Sequence, residues 1–138
     1  MRSAMYGFFV LTLGLALGLA GCKSEAEKEM SNAMAKQKDM LSALKGVTDK
    51  DSAKAANVKL KAIAKDMSDM FDRMKQVRAS QDEQKRVVEK YKPEQEQLQK
   101  DLQAETVRIS AHPEWVMEMM DGLQEIGRAG MKAQMMAK

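Results

Sequence analysis

Residues 53–77, AKAANVKLKAIAKDMSDMFDRMKQV, decide the fold. Apolar side chains fall at Ala53, Ala56, Leu60, Ile63, Met67, Met70, Met74 and Val77, in alternating steps of three and four. That spacing lines one face of an α-helix, and its persistence marks helices packed along a shared seam. The rhythm runs on through Gln81, Gln84, Val88 and Tyr91, which predicts one long helix from Thr48 to Tyr91. Thr48-Asp49-Lys50-Asp51 reads as its start, with Thr48 as the cap and acidic residues in the first turn. Lys92-Pro93 reads as its stop, with Pro93 in the first turn of the next helix.

The same period extends both ways from this stretch. Upstream it runs through Ala26, Met30, Ala33, Gln37, Met40 and Leu44, and Gly46 follows as a typical residue just past a helix end. Downstream it runs through Leu98, Leu102, Ile109, Val116, Met119, Leu123, Ile126 and Ala133, with no slip at Pro113. One helix kinked near His112-Pro113, or two stacked helices, is therefore expected. Composition agrees. After Gly21 the chain holds only three aromatic residues (Phe71, Tyr91, Trp115), against twelve of the fourteen methionines. Such a chain, rich in Ala, Lys, Glu, Gln, Met and Leu, favours helix.

The expected architecture is all-α: an antiparallel three-helix bundle (residues 24–46, 48–72 and 114–138) with a projecting two-helix coiled-coil arm at about 73–112. A hairpin closed at residues 92–93 sets Phe71 level with Trp115, Leu60 with Ile126 and Ala56 with Gly130. A turn near residue 47 sets Met30 beside Lys65–Met67.

Residues 1–22 have a different character. Arg2 is followed by an uncharged run from Ser3 to Gly21, with Phe8–Leu17 as its apolar centre. That centre is shorter than the ~20 apolar residues a spanning helix needs, and it closes on small residues. Leu19-Ala20-Gly21-Cys22 resembles the lipobox of bacterial lipoproteins. The resemblance implies cleavage between Gly21 and Cys22, a diacylglyceryl group on the Cys22 sulfur, and two parts: a signal peptide (1–21) and a mature domain (22–138). Each buried methylene of such a lipid contributes ~0.8 kcal/mol, so two or three chains hold a protein at the bilayer. The implied location is the cell envelope, with the membrane as first partner. In lipoprotein families aspartate after the cysteine resembles an inner-membrane retention signal. Lys23 in its place points to the outer membrane, facing the periplasm, where a cell has two.

Chemistry is otherwise sparse. Cys22 is the only cysteine, so no disulfide is expected. Without Arg2 the chain carries 22 basic and 20 acidic residues, too balanced to imply nucleic acid. Ser42-Ala43-Leu44-Lys45 has S-x-x-K spacing but lacks the companion motifs of penicillin-binding enzymes. His112 is the only histidine, which excludes a zinc site of ordinary ligand type and suits a helix cap beside Pro113. Met67, Met70 and Met74, with Met30, Met34, Met117, Met119 and Met120, are thioethers that suit Cu(I), but they coincide with the seam, where methionine is an adaptable filler.

Residues 73–92 carry seven basic and three acidic side chains, and 93–109 two and four. The candidate interaction face is Arg78, Lys85, Arg86, Lys90 and Lys92, suited to anionic lipid or an acidic partner. The expected role is a non-enzymatic envelope lipoprotein with no cofactor beyond the lipid on Cys22. It would serve as scaffold, adaptor or chaperone-like clamp for an envelope protein or a second copy of itself. The alternatives are the copper-binding protein and a structural lipoprotein tethered to the cell wall through Lys138. The latter resembles the small outer-membrane lipoprotein joined to peptidoglycan, but departs from it in having three helices and two prolines.

Overall fold

The computed structural model describes residues 23–77 and 79–136. The expected cleavage and lipidation positions Gly21 and Cys22 lie outside them, as do Arg78 and Lys138. The described residues form four helices: α1 (Lys23–Lys45), α2 (Lys50–Met74), α3 (Gln81–Ser110) and α4 (Pro113–Met136). No strand occurs among the described residues. The expected all-α class stands.

The first turn follows the sequence closely. α1 ends at Lys45, and the Gly46 amide donates to the Ser42 carbonyl at 3.1 Å. α2 opens one residue later than expected, with Asp49 rather than Thr48 as cap. The Ser52 amide donates to Asp49 Oδ1 at 2.7 Å and the Asp49 amide to Ser52 Oγ at 2.9 Å. That reciprocal capping box needs partners three residues apart, which Asp49 and Ser52 supply.

The long helix and its arm do not form. α2 stops at Met74, and residues 75–80 cross to a new helix that Ser80 caps, accepting from the Glu83 amide at 3.2 Å. Asp82 and Glu83 occupy the first turn of α3, where the helix dipole favours negative charge. Pro93, expected at a turn, sits inside α3 instead. It lies on an exposed face with Glu89, so water can serve the carbonyl that loses its donor. The second reversal comes at Ala111-His112, with Pro113 as the first residue of α4. His112 thus takes the expected place just ahead of a helix, whose first bonds run from the Trp115 and Val116 amides to its carbonyl.

Moving the reversal from residue 92 to residue 111 turns the register around. The expected pairing of Phe71 with Trp115 and Leu60 with Ile126 is replaced by a parallel α2–α4 pair. Asn57 bonds to Gly122, Lys61 reaches Asp121, and Ser68 and Asp72 hold Lys132. α1 and α3 are likewise parallel, through Glu27–Lys90, Lys38–Glu94 and Arg108 against Leu44 and Val47. α1 and α2 are antiparallel, and Glu29–Arg73 and Lys36–Asp66 put them about a heptad beyond the expected register. α2 and α3 make no close approach, nor do α1 and α4, while α3 and α4 touch sparsely. The helices therefore run α1–α2–α4–α3 around the bundle, with α2 and α3 at opposite corners.

The core is the seam read from the sequence. Ala53, Ala56, Leu60, Ile63, Met67, Met70, Phe71 and Met74 of α2 are buried against Met34, Met40 and Leu44 of α1, Leu98, Leu102 and Ile109 of α3, and Met119, Ile126 and Ala129 of α4. Gln37 holds its place on the α1 stripe, buried, with Oε1 unpartnered.

Candidate interaction surface

α4 presents two unlike sides. Its inner side packs closely on α2: the Gly122 amide donates to Asn57 Oδ1 at 2.7 Å. A Cβ at Gly122 would lie 2.8 Å from both the Asn57 carbonyl oxygen and Leu60 Cβ, so only glycine fits. Met119 and Ile126 flank this contact and are fully buried. One edge is fastened by ion pairs, Lys50–Glu118 at 3.2 Å, Lys61–Asp121 at 3.2 Å and Lys132–Asp72 at 2.7 Å. Hydrogen bonds from Lys132 and Lys75 hold the Asp72 carboxyl below the ordinary carboxylate range.

The outer side is a row of methionines. Met117, Met120, Met131 and Met135 are 71%, 42%, 58% and 74% exposed. Their spacing, bridged by Gln124 and Gly127–Arg128, keeps them on one face through more than five turns. A Cβ at Gly127 would meet nothing within 4 Å. Elsewhere among the described residues the large exposed apolar side chains are single valines, Val58 on α2 and Val88 and Val107 on α3. Scattered apolar residues are ordinary at a surface, whereas an aligned row marks a contact site. Methionine suits one because its flexible thioether adapts to the shape it meets.

The end of the bundle where α4 begins is stapled. Arg108 donates from Nη1 to the Val47 carbonyl at 2.8 Å and from Nη2 to the Leu44 carbonyl at 2.9 Å. It thereby ties the Leu44 carbonyl at the end of α1, which also accepts from the Val47 amide at 3.1 Å, to the Val47 carbonyl in the turn that follows. Glu105 accepts from its Nε at 2.8 Å, and its guanidinium lies 5.9 Å from the Trp115 ring centre. His112 stacks on Trp115, 3.7 Å from centre to centre and 16° from parallel. The start of α4 is thus held in one orientation.

The four described residues of the expected basic face divide between two sides of α3. Lys85 and Lys92 are a heptad apart on one side of α3, and Arg86 and Lys90 are a turn apart on another. Lys90 is taken up by Glu27, whose carboxyl it holds low, and Lys92 lies 4.0 Å from Glu96. Arg78 lies outside the described residues. The methionines of the copper alternative also separate: Met30, Met34, Met67, Met70, Met74 and Met119 are buried, while Met117 and Met120 face outward. Among the described residues no three His, Cys, Asp or Glu side chains are grouped to hold a metal ion. No described helix is long and apolar enough to cross a membrane. An open groove of ≈ 350 Å³ lies between α2 and α4, lined by Lys65, Ser68, Asp69, Glu125, Arg128 and Lys132 among others.

The methionine row was within reach of the sequence. Met117, Met120, Gln124, Met131 and Met135 carry helical spacing of their own, offset from the Met119–Leu123–Ile126 stripe. Two apolar stripes on one helix signal two contact faces. No known protein family, curated protein or solved structure matches this chain.

Proposed function

We propose that this chain is a lipid-anchored, non-enzymatic contact protein of the bacterial cell envelope, a scaffold or adaptor that binds through the outer face of α4. The exposed methionine row carries the binding half of this proposal. The lipobox-like Leu19-Ala20-Gly21-Cys22 supports the anchor. A lipid on Cys22 would hold the end of the bundle where α1 starts, α2 stops and α3 starts. The α4 face begins at the opposite end and runs back along the bundle, open to a partner for its whole length. Arg108, Trp115 and His112 fix its direction.

A photoreactive residue placed at Met117 or Met131 of the full chain, in intact cells, tests the contact face. Crosslinked products are expected at both positions and not at Val58, an isolated exposed valine on α2. Products at Val58 alone, or at none of the three, would refute the assignment.

A further inference from the structure

The face of α4 is complementary to itself when turned end for end. Counting from Gln124, Met117 and Met131 stand seven residues to either side, Met120 and Arg128 four, and Asp121 and Gly127 three. We infer, building on the contact face proposed above, that its partner is a second copy of this chain, paired antiparallel through α4 about a two-fold axis at Gln124.

Such an axis makes an isologous contact, in which each pairing occurs twice. Met117 of one copy meets Met131 of the other on both sides of the axis. Met120 lies against the aliphatic stem of the second copy's Arg128, a stem suited to covering apolar surface. Asp121 faces the second copy's Gly127, one residue from its Arg128, so the carboxylate and guanidinium come within reach. Arg128 makes no ion pair among the described residues of its own chain, and Asp121, 70% exposed beside Lys61, keeps a free side. The open space over Gly127 lets the two backbones approach on either side of the axis.

Charge selects the orientation. A parallel pair would set Asp121 on Asp121 and Arg128 on Arg128, repulsive at both levels, whereas the antiparallel pair joins opposite charges twice. Seven residues over two heptads thus carry a pattern that pairs with its own reversal. The two copies' α1 starts then lie at opposite ends of the dimer. If both Cys22 anchors enter one membrane, the bundles lie along its surface.

Cysteine crosslinking in membranes of cells making the full chain reads this directly, because native Cys22 is acylated in the proposed form. Packed helix axes lie ~8–10 Å apart, with Cα atoms on a radius of ~2.3 Å, so residues on the axis fall within disulfide range. Gln124→Cys alone is expected to yield a disulfide-linked dimer. Met117→Cys and Met131→Cys are each expected to yield none, and the double variant M117C/M131C to yield one. Arg128→Asp should lower the Q124C dimer by about fivefold or more, since it loses two exposed ion pairs and puts like charges in their place, and D121R/R128D should restore it.

Dimer from M117C or M131C alone would show a parallel pair and overturn the inference. So would the absence of dimer from Q124C while a thiol reagent labels that cysteine in folded, protease-resistant protein. Photocrosslinks from Met117 and Met131 to a different protein would leave the contact face standing and remove self-pairing. No product of either kind would remove both.

Discussion

Two glycines of α4, five residues apart, have opposite duties. Gly122 lets α4 sit on α2 with backbone nearly touching backbone, and Gly127 faces open space. Gly122→Ala is therefore expected to destabilise the fold by about 1–3 kcal/mol, because the added methyl forces the helices apart. Gly127→Ala is expected to be neutral or to stabilise by up to ~1 kcal/mol through helix propensity. Urea midpoints of the two variants check the pair, and equal effects would contradict the α2–α4 contact. Arg108 offers a second residue-scale test. Truncating it to alanine strips two charged hydrogen bonds from the end of α1 and leaves its carbonyls short of partners, at a cost of about 2–4 kcal/mol. Arg108→Lys should recover only part, since one ammonium cannot reproduce the fork that serves Leu44 and Val47 together. Neither role was legible in the sequence. Glycine and arginine acquire these duties from a neighbour more than fifty residues away, and three-four spacing carries no record of which helices will meet.

The elements were legible where local chemistry dominates. α1 ends before Gly46 as expected, and α4 occupies nearly the span expected for the third helix of the bundle. The misread point is the boundary at 75–80. Val77, Gln81 and Gln84 continue the apolar period through it by coincidence, which hides the break. The start signal was present in Ser80-Gln81-Asp82-Glu83, a cap with acidic residues behind it. Pro93 misled in the opposite sense: it usually ends a helix, yet α3 carries it on an exposed turn. A proline inside a helix costs ~3 kcal/mol relative to alanine in the absence of relaxation. Pro93→Ala is accordingly expected to stabilise the protein by about 1–3 kcal/mol in chemical denaturation. Loss of stability in that variant would mean that Pro93 makes a turn after all.

For the whole molecule, one misplaced reversal changed the architecture from bundle-plus-arm to four packed helices, while the seam residues of α1 and α2 up to Met74 stayed in the core and those from Val77 to Val88 left it. Facing residues depend on the period; partner helices depend on where the chain turns. That is why the buried set was readable and the α2–α4 pairing was not. The same split applies to function. The lipobox-like motif is local and stands in four consecutive residues, whereas which of the two apolar stripes of α4 faces outward is decided by its packing on α2. The proposal depends first on the anchor, because lipid on Cys22 sets both the membrane and the orientation of the bundle upon it. The most direct measurement is labelling of cells with palmitate, for the intact chain and for Cys22→Ser. The proposal predicts strong label on the intact protein and none on the variant, which should also keep its uncleaved leader and run larger. Label persisting undiminished in Cys22→Ser, or absent from both, would contradict it.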